Sequence, residues 1–307
     1  MTDDRLALAH LFPTPTAYVL GGGGSYGAVQ MGMIRALAET DLQPRLIVGT
    51  SVGALNGVVL AADPGTAAAR LAAIWPQIER RNVFPGNVVT SALAARSTRP
   101  WLFDPGPLSE LLTTHLPVAT IEQLRLPYVA IATDLDTGVR VDLDSGDLRS
   151  ALLASAAVPG VFPWVDRDGR RLVDGGLVAN VPVRQAVERG ARSVVVLDCG
   201  LFGVDGRWAQ SLVGVIVQAL TIAARQQIVA DLQVAQDVPV VYLPAPAAIT
   251  TSIFDFAHTE SLAERAYGDA VPMLARLAQR TEPLGPGLYG EPPVAIGNPA
   301  VAALRRM

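Results

Sequence analysis

The 307-residue chain contains no lysine, and all 24 of its basic residues are arginine. A pyridoxal Schiff base, the phosphate-binding lysine of a P-loop and the strand lysine of a protein kinase are therefore excluded. There is one cysteine, Cys199, so no internal disulfide can form, and there are three scattered histidines, His10, His115 and His258. These residues offer no metal-ligand spacing, and no metal or cofactor is expected. Charge is sparse as well, at 17% of residues, with a formal net charge of −4. A protein that reads a nucleic-acid backbone needs a basic face, so nucleic acid is not an expected partner. With 50% hydrophobic residues and no long run of one charge, the chain is not of the disordered class.

No export signal is expected either. The N-terminus opens Met1-Thr2-Asp3-Asp4, acidic where a signal peptide is basic, and the apolar residues that follow are broken by His10, Pro13 and Pro15. The longest apolar stretch, Leu212 to Ala224, is interrupted by Gln218 and falls short of the roughly 20 residues that cross a bilayer. The expectation is a reduced, cytoplasmic protein in which this stretch is a buried helix. The apolar face of 208–230 (Trp208, Leu212, Val215, Ile216, Leu220, Ile228) reads chiefly as core, and is where transient contact with a membrane surface would fall. Nothing in the composition sets an oligomeric state.

What is present is an alternation. Ala17 to Leu20, Leu46 to Val48, Tyr128 to Ala132 and Ser193 to Leu197 read as short buried strands. Helical patterns at 28–37, 54–62, 148–156, 183–189 and 206–236 lie between or after them. Such alternation predicts an α/β fold, a mainly parallel central sheet with helices on both faces in three layers. The domain is expected over 16–280. Within it, 82–107 is rich in Pro, Gly and Asn with Trp101 and Phe103 among them, and is a candidate cap or lid. Pro and Gly recur from 283 to 307, which reads as a partly ordered tail.

Three glycine motifs punctuate the strand ends. Gly49-Thr50-Ser51-Val52-Gly53 fits the G-x-S-x-G nucleophile elbow, with a buried-type strand before it and a helix-forming stretch after it. That placement puts the Ser51 hydroxyl at a strand's carboxyl end and above a helix N-terminus, where developing negative charge is favoured. Gly21 to Gly24, followed by Ser25-Tyr26-Gly27, can present consecutive N–H groups as an anion nest. The same loop contains G-x-G-x-x-G (Gly22, Gly24, Gly27), yet no acid stands at the end of the second strand to hold a ribose. An oxyanion hole accounts for both glycine loops, a dinucleotide site for one. Asp174, followed by Gly175 and Gly176 after a short apolar run, supplies a base for Ser51.

In this order the motifs resemble the patatin-like phospholipases, lipid acyl hydrolases with a Ser-Asp dyad. Ala154 to Pro163 and Asn180 to Val183 are similar to segments that flank the Asp in bacterial members. The resemblance covers about 16–280. It implies that Ser51 is the nucleophile, Asp174 the base, and Gly22, Gly23 and Gly24 the oxyanion donors, acting on an acyl lipid or other ester. One departure is Tyr26, where the family carries Arg or Lys.

Two alternatives remain. Ser51, Asp174 and His258 stand in the chain order of an α/β-hydrolase triad. A catalytically weak lipid-binding or regulatory protein of the same fold would also keep these motifs. Asp134 and Asp136 read as a turn, and Cys199 as a small residue at a strand end.

Overall fold

A computed structural model describes residues 5–85, 100–116, 118–200, 212–247, 249, 251–292 and 299–306. Among the described residues nine strands form one sheet: β1 (Thr16–Leu20), β2 (Leu46–Thr50), β3 (Tyr128–Asp134), β4 (Arg140–Leu143), β5 (Val165–Arg167), β6 (Arg170–Asp174), β7 (Ser193–Leu197), β8 (Pro239–Leu243) and β9 (Gly287–Tyr289). The strand order is β5-β6-β3-β2-β1-β7-β8-β9, with β4 also paired to β3. From β3 through β9 the neighbours are parallel, whereas β4, β5 and β6 run antiparallel. The helices of eight residues or more are α1 (Gly27–Ala38), α2 (Val52–Ala62), α3 (Ala67–Ile74), α4 (Gly106–His115), α5 (Leu148–Ser155), α6 (Leu212–Asp231) and α7 (Thr259–Ala278). The protein is thus a three-layer α/β fold with a mainly parallel sheet.

Strand alternation divides the core in two. Tyr18, Leu20, Ile47, Ala130, Val195 and Val241 face one layer, which contains α1, α2, α3 and α7. Ala17, Val19, Val48, Ile131, Val194 and Val240 face the other, which includes Ala179, Val183, Ala186 and Ile228. All the central positions are fully buried because both sheet faces are covered.

The four strands read in the sequence are β1, β2, β3 and β7. The antiparallel β4 and β5 carry Arg and Asp on exposed or half-exposed faces and lack the apolar run that marks the parallel strands. Part of the Pro/Gly-rich segment from 283 belongs to the sheet. Gly287–Tyr289 pairs in parallel with β8, and the Leu284 N–H donates to the Leu11 carbonyl. Its three-residue strand is too short to show a period.

Of the excursion 82–107, residues 86–99 lie outside the described residues. On either side of them Phe84 and Phe103 are buried, 5.6 Å apart, and Phe84 stacks on Phe162. Trp208 and the first residues of the helix expected at 206–236 also lie outside. The segment Gly214–Gln236 is long and apolar enough to cross a bilayer by length and composition, and 31% of the 18-residue apolar window within it is buried in the fold. Ile228 is core, whereas Val215 and Ile222 are exposed.

On one face α1 packs against α7 through Gly32. A Cβ there would stand 2.0 Å from the Ala263 carbonyl oxygen and 2.8 Å from the Tyr267 nitrogen. In an isolated helix Gly→Ala is stabilising by about 1 kcal/mol. Here the close approach reverses the sign, and Gly32→Ala is expected to destabilise by about 2–3 kcal/mol in urea unfolding. A stabilised variant would show that the two helices separate freely.

Candidate active site

The geometry starts from β3. Residues 130–133 pair with β4, so β4 fills one edge of the strand. β2 runs parallel along the other edge until Thr50 stands opposite Ile131. β6 comes antiparallel down that same edge until Asp174 stands opposite Ala132. The carboxyl ends of β2 and β6 therefore meet on adjacent positions of one strand, and Ser51 and Asp174 emerge side by side.

Ser155, from the last turn of α5, bridges the junction. Its hydroxyl donates to the Ile131 carbonyl at 2.6 Å and accepts the Ser51 N–H at 3.0 Å. It thereby replaces a ladder bond that β2 gives up where it turns. A Cβ on Gly175 would lie 2.3 Å from the same Ile131 oxygen, so the residue after Asp174 must be glycine.

Ser51 itself has φ 55° and ψ −126°, a conformation that costs a non-glycine residue about 1–3 kcal/mol. The chain tolerates it because Gly49 and Gly53 close the turn tightly. A Cβ at Gly53 would meet the Leu20 carbonyl oxygen at 2.2 Å, and one at Gly49 the Gly53 oxygen at 2.5 Å. Both glycines of the pentapeptide are steric requirements of a strand-to-helix elbow.

Asp174 is 6% exposed. Its Oδ1 accepts the Gly176 N–H at 2.7 Å, while Oδ2 is buried without a hydrogen-bond partner among the described residues. Burial pushes its pKa up to about 6, and the Ser51 hydroxyl and Gly176 N–H pull in the opposite direction. A second buried carboxylate, Asp198, follows β7 behind the glycine loop; burial raises it to about 6 as well.

The glycine loop divides its N–H groups. Gly21 donates to Leu197 and Gly22 to the Asn180 carbonyl at 3.0 Å. Gly22, expected as an oxyanion donor, is thus already engaged, because β7 and the 180 turn pass close behind it. Among the described residues the N–H groups of Gly23 and Gly24 have no acceptor. A Cβ on Gly22 would come within 3.2 Å of the Ser51 Cβ, so this loop faces the serine. Tyr26 is buried and donates to the Thr251 carbonyl, and Ser25 N–H donates to Ile253 at 2.9 Å. The residue in the family's cation position thus straps 251–253 onto the loop. Behind the loop Gln30 donates to the Gly21 and Leu197 carbonyls at 2.9 and 3.0 Å and accepts from Asn56.

Three helices, with Phe84, Phe162, Phe254 and Phe256 opposite them, line a cavity of about 160 Å³ that reaches Ser51. α2 contributes Val52, Leu55, Asn56, Val58 and Val59, α3 and the 3-10 turn Trp75–Gln77 that follows it Leu71, Ile74 and Trp75, with Ile78 just beyond, and α4 Leu108, Leu111, Leu112 and His115. The α4 set has the spacing of a single helix face. The polar Asn56 is neutralised: it donates to Gly27 and Gln30 at 2.9 Å and accepts the Trp75 indole N–H at 3.0 Å. The walls are otherwise almost wholly apolar.

Sequence reasoning singled out Ser51, Asp174 and the glycines, and these come together. It gave no role to Ser155 and Asn180, though both lie in segments similar to those that flank the Asp in the family, and it missed Gln30 and Asn56, whose only signal is a lone polar residue on an apolar segment. His115, expected as a surface or loop residue, lines the cavity. His258 stands at the exposed start of α7, 3.6 Å from Asp255. Asp134 holds a turn by accepting the N–H groups of Asp136 and Thr137. Cys199 is buried after β7, its thiol donating to the Gly21 carbonyl at 3.2 Å.

A mainly parallel α/β sheet with an elbow serine above an apolar slot defines the structural class. The model of the family described as patatin-like phospholipase matches residues 18–187, and the chain belongs to that family. It is similar to patatin-like phospholipase domain-containing protein 7 of Rattus norvegicus, 33% identical over 60% of this chain and 13% of that protein. An uncharacterized NTE family protein of Mycobacterium tuberculosis is 36% identical over 54% of this chain and 44% of its own length. Lysophospholipase NTE1 of Mycosarcoma maydis is 31% identical over 59% of this chain and 9% of its own. The chain therefore spans less than half the length of each of these relatives. The crystal structure of VipD from Legionella pneumophila is similar with a TM-score of 0.45 and 13% identity, over 87% of this chain and 67% of that one.

The raised Asp174 has a consequence for stability. In the unfolded chain the carboxyl returns to the ordinary value near 3.9, so the native state holds its proton more tightly between about pH 4 and 6. Asp174 thus favours folding below that window, and the contribution disappears as pH rises through 6. Asp174→Asn is expected to be more stable than the wild type at pH 8 by about 3 kcal/mol, with the difference vanishing near pH 4. Urea unfolding at the two pH values reads this directly, and an equal difference at both would refute the burial argument.

Proposed function

We propose that the protein hydrolyses acyl esters of lipids through an acyl-Ser51 intermediate, with Asp174 as the base. The observation that carries this reading is the junction on β3: a strained, half-exposed serine beside a buried carboxylate whose Oδ2 lacks a partner, at the mouth of an apolar slot. Membership of the patatin-like phospholipase family and the lysophospholipase among its relatives support a lipid ester as substrate.

The chemistry follows from the groups present. Asp174 Oδ2 accepts the Ser51 proton as Oγ attacks the ester carbonyl, and the carbonyl oxygen takes the electron pair. The unengaged N–H groups of Gly23 and Gly24 donate to that oxyanion, each donor being worth roughly 3 kcal/mol. Collapse breaks the bond to the alcohol, which leaves with the proton held by Asp174. Water then repeats the sequence on the acyl-serine and releases the fatty acid. An ordinary carboxylate is a weak base, and burial that lifts Asp174 to about 6 strengthens it while leaving it ionised above that pH.

A Ser51-Asp174-His258 triad is the competing reading, and the pairing of His258 with Asp255 at 3.6 Å counts against it. A catalytically weak lipid-binding protein is the other, which the strained serine conformation counts against.

Hydrolysis of p-nitrophenyl esters tests all three. Ser51→Ala and Asp174→Asn, with unchanged circular dichroism, should each lose at least ~10³-fold in kcat/KM. His258→Ala should stay within about threefold of the wild type, and wild-type kcat/KM should rise through an apparent pKa of about 6. Activity that survives in Ser51→Ala would support the binding protein. A loss in His258→Ala as large as that in Asp174→Asn would support the triad.

A further inference from the structure

The slot is bounded by helices of known rise, so its length can be read from residue positions. Its lining runs from Ser51, the N-cap, to Val59 along α2 and from Leu108 to Leu116, the C-cap, along α4. At 1.5 Å per residue each run measures about 12 Å. An extended alkyl chain advances about 1.25 Å per carbon, the projection of a ~1.5 Å carbon–carbon bond on the chain axis. The slot therefore takes about ten carbons.

The far end can be identified from hydrogen bonds. A short turn at 63–66 joins α2 to α3, so the two helices run antiparallel and Arg70 lies beside the end of α2 remote from Ser51. The Trp75–Asn56 bond confirms the pairing nearer the serine. The Arg70 guanidinium donates to the His115 carbonyl at 3.4 Å, which places the C-terminus of α4 at the remote end. His115 is half-buried there, between the slot and solvent, with Leu116 beside it.

We propose that His115, together with Leu116 and Val59, is the end stop of an acyl ruler that sets a preference for chains of about ten carbons. The inference rests on the reading of Ser51 as the acyl acceptor, which fixes the zero of the scale. Between the two ends no lining side chain among the described residues offers a polar group without a partner, so a chain of methylenes is what the walls accept. Beyond the stop each further carbon must displace the imidazole or bend.

The experiment separates the ruler from the chemistry. Binding of 2-alkanones of 6 to 16 carbons, whose carbonyl and chain copy an acyl group, is measured by calorimetry on the folded Ser51→Ala protein. Affinity should rise about three- to fourfold per methylene up to about ten carbons and then level off. Adding His115→Ala, at a half-exposed position that tolerates truncation, should move the plateau two or more carbons longer; adding Val59→Phe should move it shorter. An affinity that climbs steadily to 16 carbons, a plateau that His115→Ala leaves in place, or no binding at any length overturns the proposal. A plateau at ten carbons in a protein that hydrolyses no ester would leave a length-limited alkyl site and overturn the reading of Ser51, and with it the acyl ruler. Hydrolysis without any plateau would overturn the ruler and leave the reading of Ser51.

Discussion

The site depends on one edge of one strand. β3 offers a single edge to β2 and β6 because β4 holds the other, and that edge is long enough for both only if each stops where the next begins. The end-on meeting requires two chains to leave the sheet within one residue of each other. Glycine follows both departure points: Gly53 after the serine, where the backbone of Leu20 is 2.2 Å from any added Cβ, and Gly175 after the aspartate, where Ile131 is equally close. The side chain of Ser155 restores the hydrogen bonding that the departures interrupt. Remove the antiparallel hairpin β5–β6 and Asp174 has no reason to face Ser51.

The arrangement stores free energy at its centre. A serine at positive φ and a carboxylate lifted to about 6 by burial are both unfavourable in isolation. They persist because the surroundings over-determine them. Gln30 ties α1 to the ends of β1 and β7, Asn56 ties α2 to α1, and Trp75 ties the end of α3 to Asn56. Each of these buried polar groups has its partners, so the network rigidifies the loop without leaving a desolvation penalty.

Legibility in the sequence followed the range of the physics. The glycine motifs were legible because their constraint is local: only glycine fits where backbones approach within 3 Å, and the spacing around Ser51 records that. The parallel strands were legible because burial on both faces makes them uniformly apolar. The sharing of the β3 edge left no trace, since a register between residues 132 and 174 depends on partners more than 40 positions apart. β4 and β5 were hidden by the charges of their exposed faces. Gly22 illustrates the limit within a motif, because whether its N–H is free depends on where the 180 turn lands. His115 was hidden for a similar reason: nothing in Thr113-Thr114-His115-Leu116 distinguishes a slot residue from a surface one.

The slot poses a different problem, because its Val, Leu and Phe residues are those of any core. An apolar interior tends to collapse onto a cavity, and a large void costs several kcal/mol. What resists collapse here is stiff packing at the roof. Phe84 meets Phe254 edge-on at 4.9 Å and Phe162 stacked at 5.6 Å, and Phe103 closes the cluster, so the strap at 253–256 is wedged against the elements on either side of 86–99. Below, the Asn56–Trp75 bond fixes the spacing of α2 and α3. The faces that α2, α3 and α4 turn toward this space are spanned by the aromatic cluster on one side and the Asn56–Trp75 bond on the other, so the cavity is a built feature of the fold.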